Sequence, residues 1–336
     1  MPNTLLLCYL TLLLKATICT EAFSLLPVSR FMSFNTKSTT ILDAAAKTKN
    51  KRIAFVTGSN KGIGKEIVRR LHNEPDIITI VACRDPELGK AACEEIQNSS
   101  TIESESDSLQ VCQLDLTNDD DIQSAANFIL QKYGKLDILI NNAAICFNDP
   151  TLYGKLPYTK FEDQADITIK TNFFGTYKVT EAMLPLLLKS KDSHNKKSPR
   201  IINIASSAGR LSILKSQQLI DFVTSPTISL AQLSNLMTDF VKCVQTQTHA
   251  EKGYPNTCYG MSKLGIIAMT KIFAKKYPEL QIHSVDPGYC ATDQNNSQGS
   301  VAPERGALTP FLLSTLDDEQ IQISGGHFFE EREITW

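Results

Sequence analysis

Of the nine tyrosines in the chain, only Tyr259 is followed four residues later by a lysine, Lys263, inside the helix-like stretch YGMSKLGIIAMTKIFAKKY. Positions four apart on a helix share a face. A free phenol has a pKa of about 10, too high for efficient acid–base work at neutral pH, and a neighbouring ammonium lowers it by favouring the phenolate. The pair reads as an acid–base couple, with an accidental surface pair as the alternative. Upstream, RIINIASSAG puts Ser206 at the end of an expected strand, where a hydroxyl makes a fixed dipole for developing negative charge. Near the start of the body of the chain, the run IAFVT leads into Thr57-Gly58-Ser59-Asn60-Lys61-Gly62-Ile63-Gly64. Glycines at a strand-to-helix turn let a pyrophosphate approach the helix N-terminus, where free N–H groups and the positive end of the dipole stabilise anions. Twenty residues beyond Gly64, where an NAD site places an acid on the ribose, stands Arg84. A guanidinium there suits a 2′-phosphate, so NADP(H) is expected over NAD(H), with Lys61 as a second cation. Asp85 argues the other way, and a solvated loop charge is the plainer reading of Arg84.

These groups need a scaffold, and the hydrophobic pattern supplies one. Continuous β-branched runs at 53–57, 78–83, 111–116, 136–144, 200–205 and 281–287 alternate with amphipathic stretches at 65–72, 86–96, 122–134 and 162–189. GGHFFEE near the end reads as a seventh strand. Such alternation predicts an α/β fold: a doubly wound parallel sheet of Rossmann type with helices on both faces. Residues 208–256 interrupt the rhythm with an insertion that includes helix-like ISLAQLSNLMTDFVKCVQ, and SSTIESESDS at 99–108 reads as a loop. The length of 336 residues, 42% hydrophobic and 21% charged, is that of a globular chain and excludes disorder. A net charge of −2 leaves no electrostatic footprint for nucleic acid. The nine cysteines contain no CxxC pair and no zinc spacing, so no metal is expected and most should be reduced core thiols.

In this order, TGSNKGIG, INNAA, KTNFFGTY, NIASSAG, YGMSK and DPGYCATD resemble the short-chain dehydrogenase/reductase family over about residues 52–336. NKGIG, ACRD, KTNFFGT and the insertion between Ser206 and Tyr259 resemble its carbonyl reductase branch. The resemblance implies reduction of aldehydes, ketones or quinones by NADPH. Tyr259 would be the general acid, Lys263 would lower its pKa and hold the nicotinamide ribose, and Ser206 would donate to the same oxygen. Asn172 would hold a water that relays protons to Lys263. Asn142 and Ala143 would flank the cofactor, Asp115 and Leu116 would meet the adenine, and Pro287, Gly288 and Thr292 would contact the nicotinamide end. Some positions depart from the pattern. Ala144 replaces a glycine, Ala205 replaces a serine and leaves Ser207 as an alternative to Ser206, and Leu88 stands where a second phosphate-binding arginine is often found. Gln164 matches a glutathione-contact position. Relatives associate through two long helices that the insertion covers in this branch, so a monomer is expected. A dinucleotide-binding regulatory protein and an enzyme oxidising a secondary alcohol are the competing functions.

Residues 4–14 are almost wholly apolar yet about half of the roughly 20 residues a membrane-spanning helix needs. They suit a signal-peptide core, with small residues at Thr20 and Ala22 before Phe23. Residues 23–50 are rich in hydroxyl and basic side chains, with Asp43 the one acid, a transit-like composition. The two parts together resemble the presequence of algae whose plastids lie inside extra membranes, and the reductase domain is expected over 51–336, free of stable membrane association once the presequence is removed. Secretion, a signal anchor, or a cytosolic protein starting near Lys51 are the alternatives. A fluorescent protein fused to residues 1–50 should be found in the plastid; retention in the cytosol would contradict that expectation.

Overall fold

The β-branched runs do pair into one sheet. In this computed structural model, residues 51–100, 108–147, 159–191, 197–321 and 324–336 are described. Strand β1 (Arg52–Thr57) leads through the glycine turn into α1 (Gly62–His72), and β2 (Ile77–Cys83) into α2 (Pro86–Ser99). Strand β3 (Leu109–Gln113), α3 (Asp119–Tyr133) and β4 (Ile138–Asn141) follow. The sheet continues in β5 (Arg200–Ile204), β6 (Gln281–Asp286), β7 (His327–Phe329) and β8 (Arg332–Ile334), in spatial order β3-β2-β1-β4-β5-β6-β7-β8. All pairings are parallel except the last, in which β8 returns along β7. This is the doubly wound order, with the direction of progression reversing between β1 and β4. Side chains alternate across it. Ile53 and Phe55 of β1 join one buried layer, and Ala54 and Val56 join the other with Ile67, Val68 and Leu71 of α1.

Several elements differ from the sequence reading. The third strand ends at Gln113 because Asp115 turns out of the ladder, accepting hydrogen bonds from the Thr117 N–H (2.8 Å) and hydroxyl (2.7 Å). The expected helix over 162–189 is three pieces: α4 (Phe161–Ile169), a π-helical segment Lys170–Gly175 and α5 (Thr176–Lys191). Gly175 lets this segment lie on the end of β3, since a Cβ there would stand 2.6 Å from the Leu116 carbonyl oxygen. Strand β8 was not foreseen. The presequence, residues 101–107 of the 99–108 loop and most of the 147–163 loop lie outside the described residues.

The insertion folds into α6 (Gln217–Thr224) and α7 (Leu230–Gln245), the latter started by a capping box in which Ser229 and Gln232 satisfy each other's backbone N–H groups. Leu233, Met237 and Phe240 of α7 bury against α4 and against α8 (Cys258–Lys276). Helix α8 is apolar nearly all round, as a helix enclosed on every side must be. After β6 come two short helices, α9 (Pro303–Gly306) and α10 (Leu308–Thr315). The C-terminal carbonyls of α10 are satisfied by two buried guanidinium groups, Arg52 on the Ser314 oxygen (3.1 Å) and Arg200 on those of Leu313 (3.2 Å) and Leu316. Among the described residues, no helix is long and apolar enough to cross a membrane.

Candidate active site

The residues singled out in the sequence lie at the carboxyl ends of the strands and on the helices beside them. After β1, Gly58 (φ +62°) and Gly62 (φ +56°) take left-handed backbone conformations. A Cβ on Gly58 would stand 2.8 Å from the Ala143 Cα, and one on Gly64 would stand 2.5 Å from the Asn142 side-chain nitrogen. Only glycine fits this turn so tightly against the segment after β4. That segment is tied to it by hydrogen bonds: the N–H groups of Asn142 and Ala143 both donate to the Thr57 hydroxyl (3.0 Å each), and the Asn142 amide donates to the carbonyls of Thr57 (2.9 Å) and Gly58 (3.0 Å). The Asn142 amide thus shapes the glycine turn, so any flanking of a cofactor falls to the backbone beside it. Asn60 is half-buried in the turn, and Ile63 packs on the layer beneath.

The fit to a dinucleotide rests on how the helices begin. Helices α2 and α3 are capped by their own side chains, Asp85 on the Glu87 N–H (2.9 Å) and Asn118 on the Asp120 N–H (2.9 Å). Helix α1 has no side-chain cap and no acid in its first turn, so its leading N–H groups point into the glycine cradle. Asp85, which argued for NAD in the sequence, is committed to capping α2. Arg84 lies exposed after β2, and it and Lys170 both act on Asp115. Burial alone would raise the Asp115 pKa, but the hydrogen bonds from Thr117 and the charges of Arg84 and Lys170 hold it below the usual carboxylate value. Lys61, expected beside Arg84 as a second cation, instead pairs with Asp293 at 2.9 Å in the loop after β6. Lys170, which sequence reasoning overlooked, is the cation that shares Asp115 with Arg84.

The chemistry-bearing side chains converge on α8. The Lys263 ammonium, on a residue only 3% exposed, donates to the Ile204 carbonyl at the end of β5 (2.6 Å) and lies 5.5 Å from the Tyr259 ring centre. Ser206 follows two residues after that carbonyl, and its hydroxyl is near enough to the Tyr259 phenol to pull its pKa down by hydrogen bonding. Ser207 points elsewhere: it is exposed, and its N–H donates to Asp286 (2.9 Å). The turn after Ser206 is pressed onto α8, because a Cβ on Gly209 would stand 2.5 Å from both the Leu264 nitrogen and the Lys263 carbonyl carbon. Asn172 sits in the π-helical segment and is 1% exposed. Its amide accepts from the Ile145 N–H (2.8 Å) and donates to the Ile145 carbonyl (2.8 Å) and the Ser262 hydroxyl (3.1 Å). Both ends of that amide are therefore engaged within the protein.

Electrostatics depart from expectation in one respect. Burial pushes the Tyr259 phenol above its ordinary pKa, with Cys146 and Asp286 acting in the same direction, and only Ser206 opposes them. Burial likewise drives the pKa of Lys263 down, to about 8. The phenol is therefore held in its neutral form. Asp286 at the end of β6 was missed as a functional residue, although it stands in the DPGYC motif. It is 6% exposed and accepts from the N–H groups of Ser207 and Gly288 (3.0 Å), joining the serine turn to the loop that carries Pro287, Gly288 and Thr292. Thr292 closes the crevice from that side, its methyl carbon 3.4 Å from where a Gly62 Cβ would be. Gln164 uses its amide on the Thr159 carbonyl (2.7 Å). The seven described cysteines are free thiols, six of them buried, and no metal-holding cluster occurs among the described residues.

The chain is similar to known proteins in sequence and in fold. The family model described as short chain dehydrogenase matches residues 52–217. The chain is 33% identical to carbonyl reductase [NADPH] 1 of Mus musculus over 294 residues, covering 85% of this chain and 98% of that one. It is also 33% identical to (+)-neomenthol dehydrogenase of Capsicum annuum over 325 residues, covering 87% and 99%. Among solved structures, salutaridine reductase from Papaver somniferum superposes with a TM-score of 0.71 at 27% identity, covering 83% of this chain and 99% of that one.

The buried ammonium makes a prediction about stability. With its folded pKa near 8 against an ordinary 10.5, Lys263 binds its proton less tightly in the folded protein than in the unfolded chain, so charging it destabilises the fold. Stability should rise with pH between about 8 and 10.5 on this account, where the unfolded chain holds more protons. Lys263→Met should therefore melt at or above the wild-type temperature at pH 7, with an advantage that shrinks towards pH 10. A variant that melts several degrees lower at pH 7 would show instead that the ammonium stabilises the fold.

Proposed function

The chain belongs to the short-chain dehydrogenase/reductase family, and from that footing we propose that it is an NADPH-dependent carbonyl reductase that converts aldehydes, ketones or quinones to alcohols. One observation carries this reading: Ser206, Tyr259 and Lys263 meet at the end of β5, beside an uncapped helix that begins in a glycine cradle. Relatives named as NADPH carbonyl reductases support the cofactor and the direction.

When bound, the reduced nicotinamide supplies the hydride that the carbonyl carbon accepts. The neutral Tyr259 phenol gives its proton to the carbonyl oxygen as negative charge develops there. Ser206 donates a hydrogen bond to the same oxygen, a dipole already oriented and therefore free of reorganisation cost. Lys263 holds the nicotinamide ribose hydroxyls and passes a proton back to Tyr259 after turnover, resupplied through water at the Asn172 main-chain carbonyl. Asn60 and the N–H groups of the Gly58–Gly64 turn hold the pyrophosphate. Asp115 and Leu116 border the adenine, Arg84 takes the 2′-phosphate, and the Pro287–Thr292 loop covers the nicotinamide end. A regulatory protein of the same fold would have no use for the three reactive side chains.

The decisive experiment is a screen of NADPH oxidation against quinones, α-dicarbonyls and aromatic aldehydes, with NADH as control. Turnover should be seen with NADPH and be lost in Tyr259→Phe, which should still bind NADPH. Arg84→Ala should weaken NADPH about tenfold or more while leaving NADH unchanged, as expected for loss of a charge-assisted phosphate contact. No turnover with any carbonyl, or full turnover by Tyr259→Phe, would overturn the proposal. We propose also that the protein is a monomer, because α7 lies on α4 and α8, the face through which relatives associate. Sedimentation should give a single-chain mass, and a stable tetramer would contradict this.

A further inference from the structure

Trp336 is the chain's only tryptophan. Its indole N–H donates to the Gly209 carbonyl at 3.0 Å, and its ring packs on the larger buried layer. Gly209 closes the short turn that starts at Ser206, its own N–H donating back to the Ser206 carbonyl (2.9 Å). Trp336 is thus bonded to the turn that carries the candidate catalytic serine.

The rest of the β7–β8 hairpin explains how this residue is held. Glu330 (φ +47°) and Glu331 (φ +60°) form the two-residue connection between β7 and β8. Such a turn normally uses Asn-Gly, because both central residues take left-handed conformations. Two glutamates there are strained, and strain of this kind persists only where surrounding contacts impose it. Those contacts are present. Glu331 forms a two-pronged ion pair with Arg305 of α9 (2.6 and 2.9 Å) and accepts from the Thr309 hydroxyl of α10 (2.8 Å). Its N–H also donates to Thr309 (3.2 Å). On the same hairpin, the Phe329 ring lies 3.6 Å from where a Gly288 Cβ would be, against the loop assigned to the nicotinamide end. A three-residue strand pair is too short to hold itself at a sheet edge. The hairpin is nailed to α9 and α10 at its turn, and it touches both loops of the crevice, one through Phe329 and the other through Trp336.

We propose that the C-terminal hairpin is a brace for the active site and that Trp336 is a positioning residue, whose indole N–H fixes the Ser206–Gly209 turn so that the serine hydroxyl stays aimed beside Tyr259. The assignment of a role in turnover rests on the reductase reading above; the mechanical role does not. Trp336→Phe keeps an aromatic ring against the core and removes the N–H. Trp336→His restores a ring N–H.

Two measurements separate the claims. In hydrogen–deuterium exchange, peptides spanning residues 206–210 should exchange several-fold faster in Trp336→Phe than in wild type, while peptides from β1 and β4 stay unchanged. In NADPH-dependent reduction, kcat should fall about fivefold, matching loss of one neutral hydrogen bond of about 1 kcal/mol, with NADPH affinity within about twofold of wild type. Trp336→His should recover part of both effects. Unchanged exchange at 206–210 would overturn the brace, as would faster exchange spread evenly over the molecule with a lower melting temperature. Faster local exchange with unchanged kcat would overturn the role in turnover. If wild type reduces no carbonyl, the reductase reading fails, and the exchange measurement still decides the brace.

Discussion

The site depends on one buried contact, the Lys263 ammonium on the Ile204 carbonyl at 2.6 Å. A strand-end carbonyl has no ladder partner beyond the sheet, and an ammonium inside a protein is expensive unless paired. Each resolves the other's deficit, and the contact fixes the sliding position of α8 along β5. Once that register is set, Tyr259, one turn earlier on the helix, stands beside Ser206, two residues beyond the carbonyl. A group whose burial lowers its pKa to about 8 is retained against its own stability, which suits a role in chemistry better than one in folding.

Beneath this contact the same register is held by neutral hydrogen bonds. Asn141 and Asn203 are partners across β4 and β5, and their side chains bond to each other at 2.8 Å. Asn141 reaches Thr180 on α5 (3.0 Å), and Asn203 reaches Thr270 on α8 (2.9 Å). All four residues are buried, so each unmade bond would carry a desolvation penalty. This chain of amides and hydroxyls links two strands to the two helices that flank the site. Asp286 then joins the serine turn to the loop after β6, and Asn172 joins the segment after β4 to α8. The crevice is thus stitched together at the ends of neighbouring strands, where an open parallel sheet leaves backbone groups free.

Much of this was legible in the sequence, because burial on both faces of a parallel sheet forces long β-branched runs and glycine turns mark where strands hand over to helices. IAFVT, ITIVAC and RIINIA became β1, β2 and β5 nearly residue for residue, and GGHFFEE contained β7. What could not be read depends on side chains meeting across the fold. The end of β3 was displaced by the local turn between Asp115 and Thr117. The π-helical segment around Asn172 leaves no periodic signature, since six residues are too few to shift a helical pattern. Lys61 looked like a phosphate cation by position but met Asp293, more than two hundred residues away in sequence. Asp286 stands in a motif whose pattern does not show that it bridges two loops, and Trp336 carries no local pattern at all. Spacing placed Lys263 beside Tyr259, but it reports proximity and not burial, which is the largest influence on the phenol's pKa.

The Tyr259 phenol, the Ser206 hydroxyl and the Lys263 ammonium come together at the end of β5, and the proposed reaction stands on that convergence. The most direct test is a crystal structure of the chain with NADP and a carbonyl compound bound together. The expected result has the carbonyl oxygen accepting from both the Tyr259 hydroxyl and the Ser206 hydroxyl, with Arg84 on the 2′-phosphate. A carbonyl oxygen held by Ser207, or bound out of reach of Tyr259, would contradict it.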